Sequence, residues 1–440
     1  MTDASEPIDL TGYQIVIPGN STDNNSVESL SAYELKDALT GLGYTLNVVA
    51  DNGSSSVNAK SILIGKTAAT EGDIPTGNQY LIKADANGLI QISAGNYYGY
   101  RAALSFLTEE MNAHGGILAG VYSSTANVPH VEHATDDSVR VMFYNVFGWN
   151  SWYDESGKST SALFPYQLRM DLQKDLIEAY APDVVGFQEY MSTALRNGVA
   201  DYHSKFTPIM TALGYTQIST TAGNANCTPL FYKTDKYDVV ESGYQLYSEN
   251  GSGSKSVTWA VFREKATGKA FSVFNTHFVH EESNNEGRVQ NAKELLSVIN
   301  TVTAKYQGIS AIMGGDLNYW NIWETYKPDE AAIGSYLPHK ELTTGGMVYM
   351  HNVAEKSVGA PDTDSYHGYF GYNATKKIFN MGVTTILDKA TTNPDTYTLD
   401  HIFLGGNKDG IDAKKCIIIT DDAALRASDH SPTYVDFILN

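Results

Sequence analysis

Short apolar runs in the second part of the chain each end at polar residues. Runs of four or five residues rich in Val, Ile, Phe and Met predict buried strands. Ligands of open α/β sheets bind at strand ends, so we expect the polar side chains to converge on one edge of a sheet. The polar positions that follow the six runs are Asn145, Gln188-Glu189, Asn275-Thr276-His277, Gly314-Gly315-Asp316-Leu317-Asn318, Asp400-His401 and Asp429-His430.

The pattern over residues 12–120 predicts a smaller α/β unit. Asn87-Gly88 lies between apolar segments and favours a tight turn with positive φ, so residues 80–93 predict a hairpin. Residues 121–137 are polar and irregular, and we place the linker there. The other expected elements are strands at 13–17, 45–50 and 61–65 and helices at 26–42 and 97–111.

Strand and helix patterns alternate from Ser138 onward, which indicates a second α/β domain. The alternation alone does not separate a two-sheet sandwich from an ordinary doubly wound sheet. The expected elements, besides the apolar runs, are helices at 165–180, 192–213 and 286–306 and strands at 230–232, 239–247 and 257–263.

Length and charge restrict the class of protein. The chain has 440 residues, too many for one ordinary core, so we expect two domains. Its net charge is −20, from 30 basic and 50 acidic residues, which argues against a long basic groove that tracks DNA. A nuclease that holds one phosphate through a local metal remains compatible with this charge. Cys227 and Cys416 form no zinc pattern, and we favour two separate buried thiols over a disulfide.

The acidic composition, rich in Tyr, Asn, Ser and Thr, is typical of an extracellular bacterial protein. No apolar stretch approaches the roughly 18 residues of a membrane-spanning helix. Residues 1–9 lack the basic and apolar regions of a signal peptide. We expect a secreted or cell-surface bacterial protein, without a transmembrane segment, whose leader has been removed. The sequence leaves the oligomeric state open.

The polar inventory suits hydrolysis of a phosphoester. Such a bond resists water because its negative oxygens repel the nucleophile, so catalysis needs a divalent cation, a base and hydrogen-bond donors. Carboxylates and amide oxygens are suitable Mg²⁺ ligands, and the histidines can move protons. Asp400 could hold the imidazole of His430 in one tautomer.

The order and local context of these motifs resemble the endonuclease/exonuclease/phosphatase superfamily over residues 138–440. The matching stretches are Tyr144-Asn145, 182–189, Asn275-Thr276-His277, Gly315-Asp316-Leu317-Asn318, Leu399-Asp400-His401 and Ser428-Asp429-His430. Residues 1–130 resemble the accessory N-terminal α/β domain of family 20 hexosaminidases and α-glucuronidases, with 62–65 and 95–107 as the best match. The resemblance implies an accessory α/β domain followed by a catalytic domain at 138–440 that is a four-layer α/β sandwich, two packed sheets flanked by helices.

The resemblance also implies roles for individual residues. Glu189, with Asn145 and Asp429, would hold Mg²⁺, or Mn²⁺ in its place. Asp316 would position or deprotonate the attacking water, and His430, with Asp400 behind it, would act as base or phosphate contact. Which of Asp316 and His430 takes the proton stays open. The residues expected to bind phosphate in the transition state are Asn318 and His277.

Three further residues are candidate substrate contacts. Arg288 follows His277 on the next predicted helix, where the family often has Gln three positions later and this chain has Asn291. His367 lies in a Ser-Tyr-His-Gly element that resembles one in secreted bacterial members. Trp320 follows Asn318, where an exposed aromatic ring could stack on a sugar or base.

We therefore expect a metal-dependent hydrolase of a small, glycan-linked or lipid-linked phosphodiester. One alternative is a secreted nuclease that acts on DNA or RNA. The other is a cell-surface glycan-binding protein in which the hydrolase fold is only a scaffold, although such a protein would not need all of Glu189, Asp316, Asp400 and His430.

Overall fold

The computed structural model describes most of the chain. The described residues are 6–19, 21, 25–53, 57–150, 165–251, 253–280, 284–319, 330–359, 365–367, 372–373, 378–379 and 398–440. They form two compact units, one of residues 1–131, 153–179 and 372–381 and one of residues 132–152, 180–371 and 382–440. Of the described residues in the later part of the chain, 165–179, 372–373 and 378–379 group with the first unit. The division at 1–130 and 138–440 stays a prediction from the sequence.

The first unit contains a six-stranded mixed sheet with the order β2-β1-β3-β5-β4-β6. Strands β1, β2, β3 and β5 run parallel, and β4 is antiparallel to both β5 and β6. Gly88 at the predicted hairpin turn has φ +101°, a conformation that glycine adopts without a Cβ clash. The elements are β1 Gln14–Ile17, α1 Val27–Gly41, β2 Asn47–Ala50, β3 Ser61–Ile64, β4 Gln79–Ala84, β5 Ile90–Ala94, α2 Tyr97–His114, β6 Gly120–Thr125 and α3 Tyr166–Tyr180.

Side-chain caps and one distant carboxylate define the helices of the first unit. Ser26 accepts a hydrogen bond from the Ser29 amide at the start of α1. Asp175 of α3 accepts the amide of Tyr97, the first residue of α2, at 2.9 Å. This hydrogen bond links α3 to the first turn of α2.

One expectation for the first unit was wrong. The sequence placed an irregular linker at 121–137, but residues up to Thr125 form strand β6, which pairs with β4. Strand β6 is at the edge of the sheet, and most of its side chains are exposed, including Val121 at 70%. An exposed edge strand does not need the apolar run that marks a buried one, so its polar composition concealed it.

The second unit contains two sheets that pack face to face. One has seven strands in the order β16-β20-β21-β7-β8-β10-β9, and the other has six in the order β11-β12-β13-β14-β19-β15. The strands are β7 Val139–Asn145, β8 Val184–Gln188, β9 Tyr215–Gln217, β10 Leu230–Lys233, β11 Tyr237–Leu246, β12 Ser256–Glu264, β13 Ala270–His277, β14 Ser310–Asp316, β15 Val348–Tyr349, β16 Lys356–Val358, β19 Asp400–Gly406, β20 Ile411–Ile418 and β21 Thr433–Leu439. A two-stranded ribbon, β17 Tyr372–Asn373 with β18 Ile378–Phe379, groups with the first unit.

Helices cover the outer faces of the two sheets. Phe206 of α4 packs edge-on against Phe187 of the seven-stranded sheet. Leu295 and Ile299 of α5, and Leu342 of α6, join a buried cluster with residues of β13 and β14. This helix–sheet–sheet–helix arrangement confirms the four-layer α/β sandwich. The helices are α4 Tyr202–Ala212, α5 Asn285–Lys305, α6 Glu330–Thr344 and α7 Asp422–Ala427.

The sheets approach closely at two glycines. A Cβ on Gly314 would lie 2.5 Å from the ring of Phe143, and one on Gly186 would lie 2.5 Å from the Asn275 side chain. Any larger residue at either position would push the two sheets apart. The apolar runs of the sequence therefore form the inner faces of the sandwich, as expected of buried strands.

Most predicted elements of the second unit are present, but one helix is shorter than expected. The sequence predicted a helix over 192–213, and the structure has α4 at Tyr202–Ala212. Asp201 accepts the amide of Ser204 and so begins the helix. Gly198, with φ +77°, lies in a turn before it. Cys227 and Cys416 are both buried and free, as expected. No helix among the described residues is long and apolar enough to span a membrane.

A buried ion pair ties the first strand of the sandwich to its last. The Arg140 guanidinium makes two hydrogen bonds to the Asp436 carboxylate, at 2.7 and 2.8 Å. Its remaining donors reach the carbonyls of Tyr180 and Glu132, and its plane lies 4.3 Å from the Tyr434 ring centroid. Both side chains are fully buried.

We expect Asp436→Asn to lower the free energy of unfolding by about 3–5 kcal/mol, because it leaves a buried guanidinium without its counter-charge. Urea unfolding followed by circular dichroism measures the change. Lys305→Ala, which removes an exposed pair with Glu241, is the control and should leave the unfolding midpoint unchanged. Equal shifts for the two variants would contradict the prediction.

Candidate active site

Backbone pairing places three of the predicted residues side by side. In the six-stranded sheet His277 of β13 pairs with Asp316 of β14, which pairs in turn with Asp400 of β19. In the other sheet Asn145 of β7 pairs with Gln188 of β8. Side-chain contacts then join the two sheets at this edge. The strand ends therefore converge as the sequence predicted.

Asp316 is the centre of the cluster. Its Oδ2 atom accepts a hydrogen bond from Asn145 Nδ2 at 3.0 Å, and it lies 3.2 Å from His277 Nε2 and 3.8 Å from His430 Nε2. Its Oδ1 atom accepts the amide of Asn318 at 3.0 Å. Although burial favours the neutral carboxyl, the neighbouring His277 and His430 side chains lower the pKa of Asp316. Asp316 is therefore ionised at neutral pH.

His430 is oriented by Asp400, and Asp400 by a residue that the sequence analysis missed. His430 Nδ1 lies 2.8 Å from Asp400 Oδ2. The Ser365 hydroxyl donates to the same oxygen at 2.6 Å and accepts the amides of Leu399 and Asp400. Burial acts to lower the pKa of His430, but the charges of Asp400 and Asp316 outweigh it and raise this pKa to about 10. His430 is thus an imidazolium in this arrangement.

A second residue missed by the sequence analysis is Lys255, which precedes strand β12. Its side chain is buried, and its Nζ atom lies 2.5 Å from His277 Nε2. Burial lowers the pKa of His277 and the Lys255 charge lowers it further, so the imidazole is neutral. Its Nε2 atom then either accepts from Lys255 or donates to Asp316. A lone lysine just before a strand gives no signal in a single sequence. Only the pairing of β12 with β13, the strand that ends at His277, indicates that Lys255 lies near the site.

Glu189, Asn145 and Asp429, the predicted metal ligands, lie at the ends of neighbouring strands or beside them. Glu189 has φ +55°, and one of its carboxylate oxygens accepts the amide of Gly148, in the loop that follows Asn145. The Ser428 hydroxyl donates to the Asn145 carbonyl and so links Asp429 to that loop. Two carboxylates and an amide oxygen fit a hard cation such as Mg²⁺, which keeps several waters. Among the described residues no cluster of three His, Cys, Asp or Glu forms a ready-made metal site.

The other candidate residues differ in placement. Asn318 lies at the site with φ +50°, and its Nδ2 atom donates to the Phe278 carbonyl at 3.0 Å. His367 is buried beside Asp429, whose carbonyl accepts its amide at 3.0 Å. Arg288 is also buried, but its guanidinium donates to the Val279 carbonyl and to Asn285, so these contacts do not bring it to Asp316. Trp320 lies outside the described residues.

A histidine–tyrosine cluster of five buried side chains, Tyr319, His339, Tyr349, His351 and His401, lies behind the Asp316 strand end. The Tyr319 hydroxyl and His339 Nδ1 are 3.0 Å apart, and the Tyr319 ring stacks on His401 with centroids 4.3 Å apart. Burial lowers the pKa of His339 and His351 to about 4 and that of His401 to about 3. All three histidines are neutral in the folded protein above pH 5.

We expect Ser365→Ala to lower the free energy of unfolding by about 1–3 kcal/mol, because two buried amides lose their acceptor. Ser365→Thr keeps the hydroxyl and serves as the matched control, with a much smaller loss. Equilibrium unfolding in urea at pH 7 distinguishes them. An alanine variant as stable as the threonine variant would show that the hydroxyl makes no net contribution.

Acid should destabilise the protein through the histidine–tyrosine cluster. In the unfolded chain these histidines take up protons below about pH 6.5, whereas in the folded state they do so only near pH 4. Stability is therefore complete above pH 6.5 and falls towards pH 4, by at most about 1.4 kcal/mol per pH unit for each histidine. Urea unfolding midpoints of the wild type and of His351→Gln, measured between pH 7 and 4.5, isolate the contribution of His351 to the loss of stability in acid. The loss on acidification should be smaller in the variant, and parallel curves would refute the assignment.

Comparison with known proteins gives matches only among solved structures. No protein-family description and no curated protein matches the chain. An endonuclease/exonuclease/phosphatase from Bacteroides vulgatus is 24% identical, with a TM-score of 0.47 over 69% of this chain and 99% of that one. A mannosyl-6-phosphatase of Bacteroides thetaiotaomicron VPI-5482 is 19% identical, with a TM-score of 0.47 over 68% of this chain and 100% of that one.

The likeness extends to a human protein. The catalytic domain of human Nocturnin, with bound sulfate, is 16% identical, with a TM-score of 0.43 over 70% of this chain and 96% of that one. Identities and scores this low say nothing about substrate. The structures that this chain is similar to over about 69% of its length include those of the endonuclease/exonuclease/phosphatase family, the family that its motifs resemble.

Proposed function

We propose that the protein is a metal-dependent hydrolase of phosphoester bonds and that phosphodiesters are its preferred substrates. One observation carries the proposal: the ionised Asp316 carboxylate lies within 3.8 Å of two imidazoles, one of which is oriented by a buried second carboxylate. A structural ion pair needs only one partner. An ionised acid, an oriented imidazolium and a neutral imidazole at one strand edge are the components of proton transfer and phosphate binding.

The residues divide the work as follows. Asp316 accepts a hydrogen bond from the attacking water and directs its oxygen towards phosphorus. His430, an imidazolium held by Asp400, donates to a phosphate oxygen, and the charge of Lys255 opposes the negative charge that grows in the transition state. A divalent cation bound by Glu189, Asn145 and Asp429 would polarise the phosphate oxygens. Because His430 already carries both of its ring protons, Asp316 is the group that takes the water proton in this scheme.

The low basic content favours small, glycan-linked or lipid-linked phosphodiesters over long nucleic acids. The chain has 30 basic residues against 50 acidic ones, so a tracking groove for a polyanion would lack counter-charges. The proposal includes secretion or display on the cell surface. The protein would then meet glycan-linked or lipid-linked substrates outside the cell.

A phosphoester panel tests the proposal. The wild type should hydrolyse at least one of bis-p-nitrophenyl phosphate, sphingomyelin, inositol phosphates, sugar phosphates and nucleic acids, with Mg²⁺ or Mn²⁺ and not with EDTA. We expect His430→Ala to lower kcat by about 10²–10⁴-fold, the usual contribution of a positioned acid or base. Glu189→Gln should raise the metal concentration needed for half-maximal activity. His114→Ala, an exposed histidine of the first unit, is the control and should change neither value.

The same panel separates the alternatives. Turnover restricted to DNA or RNA would replace the preferred substrate class with a nuclease activity. Glycan binding that survives His430→Ala, with no turnover of any phosphoester, would favour a binding protein. Absence of metal-dependent hydrolysis across the whole panel would refute the proposed function.

A further inference from the structure

His401 is buried next to Asp400, yet the proposed chemistry does not use its side chain. Successive side chains of a strand point to opposite faces of the sheet, so Asp400 faces His430 while His401 faces the other way. There it lies among the histidine–tyrosine cluster, between Tyr319 and Tyr349. A polar ring fully buried at this position needs a role that an apolar ring could not fill.

The contacts of His401 fix the position of its hydrogen. Its Nε2 atom lies 3.1 Å from the Tyr319 carbonyl oxygen, which can only accept, so Nε2 is the donor. Its Nδ1 atom lies 3.4 Å from the Tyr349 hydroxyl, which can donate to it. The ring also stacks on Tyr319, with centroids 4.3 Å apart and planes 5° apart. His401, as a neutral imidazole, therefore contacts Tyr319 twice: it donates to the backbone carbonyl and stacks on the ring.

Tyr319 is the last residue of a short segment, residues 317–319, that directly follows Asp316. That segment begins with the Leu317 amide, which donates to the Leu399 carbonyl at 2.9 Å. Asn318 then adopts φ +50°, an uncommon conformation for a residue with a side chain, and its amide donates to Asp316 Oδ1. The left-handed residue thus lies between two fixed points, one on the Leu399 backbone and one at the Tyr319 carbonyl.

We propose that His401 is a positioning residue that holds Asn318 in its left-handed conformation and thereby orients the Asp316 carboxylate. Loss of the hydrogen bond to Tyr319 leaves a buried carbonyl without its donor, and the segment regains local hydration by moving. Asn318 then relaxes, and its amide no longer orients Asp316 Oδ1. The inference rests on the proposed function for its effect on turnover, but not for its effect on the segment.

Three substitutions separate the parts of this contact. His401→Phe keeps a ring to stack on Tyr319 and removes the donor. His401→Gln restores a side-chain donor without the ring. Tyr319→Phe is the control, because it keeps the stack and the backbone carbonyl and removes the hydroxyl that contacts His339.

Turnover is the first readout. On the best substrate of the wild type, His401→Phe should lower kcat by about 10- to 100-fold with KM and the metal requirement nearly unchanged, because the water-positioning group is displaced while the binding groups remain. His401→Gln should recover part of the loss, and Tyr319→Phe should stay within about twofold of the wild type. A rise in KM that accounts for the whole loss, or no change in kcat, would overturn the proposal.

Hydrogen–deuterium exchange is the second readout and does not depend on activity. The peptide over residues 314–319 should exchange faster in His401→Phe than in the wild type or Tyr319→Phe, with the strands of the seven-stranded sheet unchanged. Unchanged exchange in that peptide, or faster exchange throughout the second unit, would overturn the proposal. If the wild type hydrolyses no phosphoester, the proposed function fails while this readout still decides the role of His401. Should His401→Phe fail to fold, His401→Gln against Tyr319→Phe gives the same comparison, with an intermediate exchange rate expected.

Discussion

The hydrogen-bonded register of β14 between β13 and β19 is the constraint on which the rest of the candidate site depends. It places the Asp316 carboxylate beside His277 on one strand and Asp400 on the other. A buried carboxylate is stable only when other groups compensate its charge, so its neighbours belong to the fold as much as to the chemistry. A slip of one residue in either pairing would send Asp316 to the opposite face of the sheet.

The buried Arg140–Asp436 pair and the buried charges of the candidate site differ in how many of their polar atoms are hydrogen-bonded. Arg140 and Asp436 form a bidentate ion pair. Arg140 also donates to the Tyr180 carbonyl, and Asp436 also accepts the Ala134 amide. At the candidate site, within the described part of the chain, His277 Nδ1 and Asp400 Oδ1 have no hydrogen-bond partner. Unpaired buried polar atoms are rare and need an explanation. The Arg140–Asp436 pair is therefore complete within the protein and joins two strands, whereas the cluster around Asp316 keeps unused hydrogen-bonding atoms.

The sequence was sufficient to predict the elements whose residues have a regular apolar pattern and end in a polar group. This is why β7, β8, β13 and β14 and the convergence of Asn145, His277 and Asp316 were predictable. It was insufficient where the determining contact is distant in the chain. Ser365 lies 35 positions before Asp400 and Lys255 lies 22 before His277. Although Ser365 begins the Ser-Tyr-His-Gly element, nothing in that element indicates its contact with Asp400. The polar edge strand β6 and the late start of α4 escaped for the same reason, since pairing and a cap decide them. The roles assigned to the site residues stay predictions.

The place of β21 within its sheet has a consequence for synthesis of the chain. This strand follows the other described strands along the sequence but lies in the interior of the seven-stranded sheet, between β20 and β7. During synthesis β7, β8 and β10 therefore emerge from the ribosome before β21, the strand that joins them to β20, has been made. Until then Arg140 lacks Asp436, and the site lacks Asp429 and His430, which immediately precede β21. Domains fold as units during synthesis, so a nascent chain cannot complete the candidate site before β21 has emerged.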